Sequence, residues 1–127
     1  MIINIPISLG ELIDKISILK IKKKTIKEEK KLNFINEELL LLESILSKLI
    51  KEKKIEEYLN KLIQINSKLW KIEDELRDCE RKKNFDQKFI DLARAVYFTN
   101  DKRSEIKLSI NNDFGSKIVE VKSYEKY

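Results

Sequence analysis

The 127-residue chain has no histidine, one cysteine (Cys79), one proline (Pro6) and two glycines (Gly10 and Gly115). Without histidine there is no imidazole relay for acid–base chemistry and no imidazole metal ligand. A single cysteine excludes an intramolecular disulfide and a thiolate cluster for zinc. Two distant glycines cannot build a Gly-rich phosphate loop. So few turn formers argue against a β-sandwich, which needs a turn every ~8–12 residues. Apolar runs reach only four residues, as at Leu39–Leu42, against the ~20 that span a bilayer. The opening MIINIPIS lacks the basic and apolar parts of a signal peptide. These absences leave one cytoplasmic, mostly helical domain over residues 1–127, with no membrane segment, cofactor or metal expected.

Charge is plentiful but local. Lysine and arginine total 27 against 22 acidic residues, a net charge of +5. Lys20–Lys31 holds seven lysines and two glutamates, so the whole excess sits there and the other 115 residues sum to zero. That stretch reads chiefly as a solvated lysine-rich helix face. Nucleic-acid binding through the Lys20–Lys31 face is the weaker alternative, because clustered arginines and interleaved aromatics are missing there.

Periodicity predicts four helices. Ser8-Leu9-Gly10-Glu11 forms a capping box, in which the Ser8 hydroxyl accepts from the Glu11 amide and the carboxylate reaches back. The first helix follows, with apolar residues on two sides (Leu9, Leu12, Ile13, Ile16, Leu19; Ile18, Ile21), which implies more than one neighbour. A break is expected near Lys31–Asn33. The second helix covers Leu32–Lys51, with a seam at Leu32, Ile35, Leu39, Leu42, Leu46 and Leu49. The third, Ile55–Lys82, steps by three and four from Ile55 to Cys79, making Cys79 a buried seam residue. Asp86 caps the fourth, which runs to about Asp113, with Gly115 as its C-terminal stop. The fold class is all-α, built of long antiparallel hairpins in a coiled-coil-like bundle. A short β-ribbon from Ile2–Ile5 and Ile118–Val121 is a further expectation.

The four arginines, Arg77, Arg81, Arg94 and Arg103, lie within 27 residues of a lysine-preferring chain. Arginine offers a planar fork for carboxylate or phosphate that lysine cannot copy. Helical spacing puts Trp70, Asp74, Arg77 and Arg81 on one face of the third helix, and Arg94, Tyr97 and Asp101 on one face of the fourth. A hairpin turning at Asn84–Phe85 sets Trp70 near Asn100 and Asn66 near Arg103. Two readings follow. One is a network of interhelical salt bridges that fixes register. The other is a ligand site for an anionic metabolite, formed by Arg77, Arg94, Arg103, Trp70, Tyr97, Asn100, Asp101 and Asp74. No residue pair fits a catalytic role, since adjacent carboxylates such as Glu73 and Asp74 diverge by ~100° on a helix.

The segments IPISLGELIDKISILKIK, NSKLWKIEDELRDCE and FIDLARAVYFTNDKRSEIKLSIN, with the late KSY, resemble a family of short bacterial proteins of unassigned function. The resemblance spans Pro6 to Tyr124 and is densest around Val96-Tyr97 and Asn100-Asp101. It implies no catalytic residues. It also implies a neighbourhood of glycosyltransferases for surface polysaccharides, which suits a sugar phosphate or nucleotide sugar as the anionic ligand. The abundance of apolar seam points instead to a non-enzymatic homodimer acting in protein–protein interaction or scaffolding.

Overall fold

Four helices and no strand make up the structure, a computed structural model that describes residues 1–127. They are α1 (Leu9–Thr25), α2 (Glu29–Leu49), α3 (Lys53–Lys82) and α4 (Gln87–Asp113). None is long and apolar enough to cross a membrane. The helix starts follow the expected chemistry. The Ser8 hydroxyl accepts from the Glu11 amide at 3.1 Å, and the Asp86 carboxylate accepts from the amides of Lys88 and Phe89. The Glu11 carboxylate does not close the box. It turns to the ammonium of Lys107 at 2.7 Å, a charge only 7% exposed and therefore in need of an anion.

The break between α1 and α2 falls at Ile26–Glu28, several residues before the expected Lys31–Asn33. Lys22, Lys23 and Lys24 fill the last turn of α1, where cations suit the negative end of the helix dipole. Ile26 then leaves the helix in an extended conformation and packs against the core. The end of α3 is less regular, because Lys83 adopts the left-handed conformation at φ 52°. The Asn84 amide then reaches back to the Cys79 carbonyl at 2.9 Å. At the end of α4, Gly115 takes φ 64° and the Ser116 amide bonds the Asn111 carbonyl at 2.8 Å. This is the glycine stop that sequence predicts, closed by a six-to-one hydrogen bond.

Helix α1 is the centre of the bundle. It packs against α2, α3 and α4, α3 packs against α4, and the backbone of α2 comes close to no helix but α1. The core joins Leu12, Ile13, Ile16 and Leu19 of α1 to Ile35, Leu39 and Leu46 of α2, Ile55, Tyr58 and Leu62 of α3, and Ile110 of α4. Each buried aliphatic side chain contributes about 1.5–3 kcal/mol, so the two-sided apolar band of α1 accounts for its three neighbours. Cys79 lies buried on the inner side of the α3–α4 hairpin, beyond this core.

The expected terminal β-ribbon does not form. Ile2, Ile3 and Ile5 are exposed, and no ladder joins them to Ile118–Val121. The C-terminal segment instead turns back along α4. Glu120 bonds Lys107 at 3.0 Å, and Tyr127 donates to Asp101. Charged side chains of α4 hold the tail along that helix, away from the N-terminal stretch.

Candidate functional site

A polar ladder runs down the α1–α4 interface. On α1, Gly10, Asp14 and Ser17 recur at steps of four and three. On α4, Asn100, Arg103, Lys107 and Asn111 recur at steps of three, four and four, so both sets face each other across antiparallel helices. At the top rung the Gly10 amide donates to Asn111 Oδ1 at 2.8 Å. A Cβ at position 10 would stand 2.6 Å from the Lys107 carbonyl oxygen, so glycine is what permits this approach. One turn below, Lys107 Nζ sits between Glu11 (2.7 Å) and Glu120 (3.0 Å). Burial works to lower the Lys107 pKa, but the two carboxylates outweigh it and raise the group above its ordinary value. Glu120 is held down at about 2 by its bonds to Lys122 and then Lys107.

The deepest rung is Asp14, 1% exposed. Arg103 grips it bidentately, with Nε on Oδ1 at 3.0 Å and Nη2 on Oδ2. Asn66 of α3 donates to Asp14 Oδ1 at 2.8 Å and to Ser17 Oγ at 2.7 Å. The Ser17 hydroxyl in turn donates to the Asp14 carbonyl at 2.6 Å. The fork on Asp14 is the first cause of a raised Arg103 pKa, with burial opposing. Three helices therefore meet at one carboxylate whose partners are all supplied by the chain itself.

Seven of the eight residues singled out from sequence divide between two cavities. Trp70, Asp74, Arg77, Asn100 and Arg103 line one of about 430 Å³, together with Ile18, Ile21 and Asn66. Tyr97, Asn100, Asp101 and Arg103 line a second of about 560 Å³ under the C-terminal segment, beside Lys107 and Tyr127. Arg103 belongs to both, but its fork is occupied by Asp14. Arg77 is exposed, with only Glu73 of its own helix at 4.0 Å. Arg94 borders neither cavity and stands over the Phe98 ring at 5.8 Å. Asn66 and Arg103 do converge, as a hairpin turning at Asn84–Phe85 requires.

The lysine run is not one helix face. Lys20–Lys24 lies on α1, Lys27 in the connection, and Lys30 and Lys31 on α2. Lys20 is paired with Glu43 at 2.7 Å and Lys31 with Glu28 at 2.9 Å.

A larger feature is the outer side of α2. Phe34 (67%), Leu41 (44%), Ile45 (40%) and Leu49 (62%) are exposed and fall within one narrow arc of the helix. Ile35, Leu39 and Leu46 meanwhile bury its other side against α1. Helix α2 is thus apolar on two sides and packed on one. Sequence reasoning placed Leu49 in the inner seam, whereas the structure leaves it exposed on the outer side, and it passed over Phe34, Leu41 and Ile45. It also passed over Asp14 and Ser17, whose signal was a small or polar residue at helical spacing (Gly10, Asp14, Ser17) within an otherwise apolar helix.

A four-helix, strandless domain with a polar ladder inside and an uncovered apolar helix outside defines a class rather than an activity. Residues 3–127 match a family of unknown function, DUF6165, and the chain belongs to that family. No curated protein and no solved structure matches it.

Proposed function

We propose that the chain is a homodimeric helical interaction module whose contact surface is the outward side of α2. The supporting observation is the row Phe34, Leu41, Ile45 and Leu49, each 40% exposed or more on a helix whose backbone lies close only to that of α1. Such a row, with its flanking stems, amounts to several hundred Å² of apolar surface. That lies within the ~300–600 Å² range of the patches monomers leave bare and well below the ~800 Å² each partner contributes to a standard interface, so neighbouring side chains would have to join it. Burial of this surface by a second copy gives α2 the neighbour its sequence is built for. The test is the mass in solution at micromolar concentration by sedimentation. Twice 15.1 kDa is expected, and a monomeric mass would contradict the reading.

A second reading rests on the cavity lined by Trp70, Asp74, Arg77, Asn100 and Arg103. There an anionic metabolite, such as a sugar phosphate or nucleotide sugar, would meet Arg77, the cavity's one arginine without a partner on another helix. Its test is thermal melting against a panel of these anions. A ligand at ~100 times its dissociation constant adds ~2.7 kcal/mol, and that gain must vanish in Arg77→Ala if the site is real.

A further inference from the structure

We infer that the ligand of the cavity between α1, α3 and α4 is an acid that also carries a protonated amine, with the amine held among Asn66, Trp70 and Asp74 and the acid on Arg77. The inference rests on the anionic-metabolite reading and adds the cationic half of the ligand. Charge is the first ground. Two arginines and two carboxylates line the cavity, and the Arg103 fork is already spent on Asp14. What is left is Arg77 against Glu73 and Asp74, a remaining charge of −1. Glu73 stands 4.0 Å from Arg77, while Asp74 belongs to none of the chain's ion pairs. A purely anionic ligand would deepen this excess, and like charges brought together are costly. An ammonium on the same ligand cancels it.

The second ground is an acceptor without a donor. Asn66 is 6% exposed, and its Nδ2 donates to Asp14 and to Ser17. The Asp14 carboxylate can only accept, so the amide is fixed this way round and Oδ1 faces away from both partners. That oxygen accepts from nothing in the chain. Nor is it sealed off, since Asn36 alone buries a polar side-chain atom without a partner. It opens on the cavity that Asn66 lines. An ionised phosphate or carboxylate has no hydrogen to give it, whereas an ammonium has three. Trp70 follows Asn66 by one helical turn, and Asp74 follows Trp70 by another. Amide oxygen, indole face and carboxylate thus form a track for a cation along α3, and an ammonium over an indole face is attracted by the ring. Arg77 stands about 5 Å further along the axis, a separation that an amine and an acid on one small molecule can span. Ile18, Ile21 and Leu69 supply an apolar wall, which strengthens each of these charged contacts.

Trp70 is the chain's one tryptophan, so its fluorescence reads the cavity directly. The full chain is titrated at pH 7 with matched acids that differ only in an amine for a hydroxyl: glucosamine 6-phosphate against glucose 6-phosphate, and serine against glycerate. The two pairs separate an amino sugar phosphate from an amino acid as the source of the chemistry. In one pair at least, the aminated member is expected to bind ~5-fold tighter or more. Asp74→Asn, at an exposed position and with its helix content verified by circular dichroism, abolishes that preference. Arg77→Ala weakens both members of the pair. Equal binding within every pair, or a preference that survives Asp74→Asn, overturns the inference and leaves the anionic-metabolite reading standing. Ligands that leave both Trp70 fluorescence and the melting temperature unchanged, or binding indifferent to Arg77→Ala, overturn both.

Discussion

The guanidinium of Arg103 on α4 closes on both oxygens of the Asp14 carboxylate on α1, joining residues 89 positions apart. The two ends of this pair differ in burial, with side-chain exposures of 27% and 1%. That difference makes the pair asymmetric towards mutation. Arg103→Met strands a carboxylate that cannot reach water, and losing one partner of a buried ion pair costs about 3–5 kcal/mol. Asp14→Ala frees an arginine whose tip can turn outward, and Asn66 keeps Ser17 as an acceptor. The expected loss there is about 1–3 kcal/mol. Urea unfolding of the two variants checks the order, and an Asp14→Ala protein less stable than Arg103→Met would refute the burial argument.

The rung above depends on close approach. Gly10→Ala places a methyl 2.6 Å from the Lys107 carbonyl oxygen, a backbone atom that moves only with α4. Alanine favours a helix over glycine by up to ~1 kcal/mol, so the sign of the change tests which effect wins. Overpacking of this kind costs about 1–3 kcal/mol, and separation of the helices also loses the Gly10–Asn111 hydrogen bond. Net destabilisation is expected. Gly115→Ala meets nothing within 4 Å, and its cost of about 1–2 kcal/mol comes only from holding alanine at positive φ. Core packing is untouched in the second variant, so amide exchange at position 10 and at Asn111 should rise in the first alone.

Sequence periodicity conveyed most of the architecture because helices are local. The seam of α3, the Asp86 cap and the Gly115 stop depend on residues within a turn or two. The convergence of Asn66 with Arg103 followed from folding one hairpin about its turn. What stayed hidden was decided between distant segments. Glu11 has a good local partner in its own capping box and leaves it for Lys107, 96 positions away, because that ammonium is buried. Asp14 looked like one more charge in an amphipathic helix, and only the arrival of α3 and α4 makes it the central acceptor. The two termini offer β-branched stretches for a ribbon, yet Glu120 and Tyr127 bond to Lys107 and Asp101 of α4 instead. Helix α2 shows the opposite limit. Its outer row was present in the pattern, but a row of apolar residues does not announce which side lacks a neighbour.

The C-terminal segment carries its own pH dependence. It is fastened at Lys107 through Glu120 and at Asp101 through Tyr127, whose ring also packs edge-on to Phe98 at 4.9 Å. The Glu120 carboxyl falls from an ordinary 4.5 to about 2, first through Lys122 and then Lys107. Lys122 belongs to the tail itself, so only the Lys107 part of this depression supports docking; that part is full above the unfolded value and drains away as pH drops from about 4.5 through 2. Tyr127 is pushed up to about 12 from 10 by its bond to Asp101. A raised acid of this kind supports docking below pH 10 and loses that support between pH 10 and 12. The tail should therefore stay on α4 across the neutral range and loosen at both extremes. Nuclear Overhauser contacts between Tyr127 and Phe98, compared with core signals from Ile13, follow docking separately from global unfolding. Glu120→Gln removes the charge on Lys107's second partner. Tail amide signals near Val119 and Val121 should then shift at pH 7 and lose most of their acid titration. An acid limb identical in Glu120→Gln and the parent chain would show that Glu120 is not the group that holds the tail.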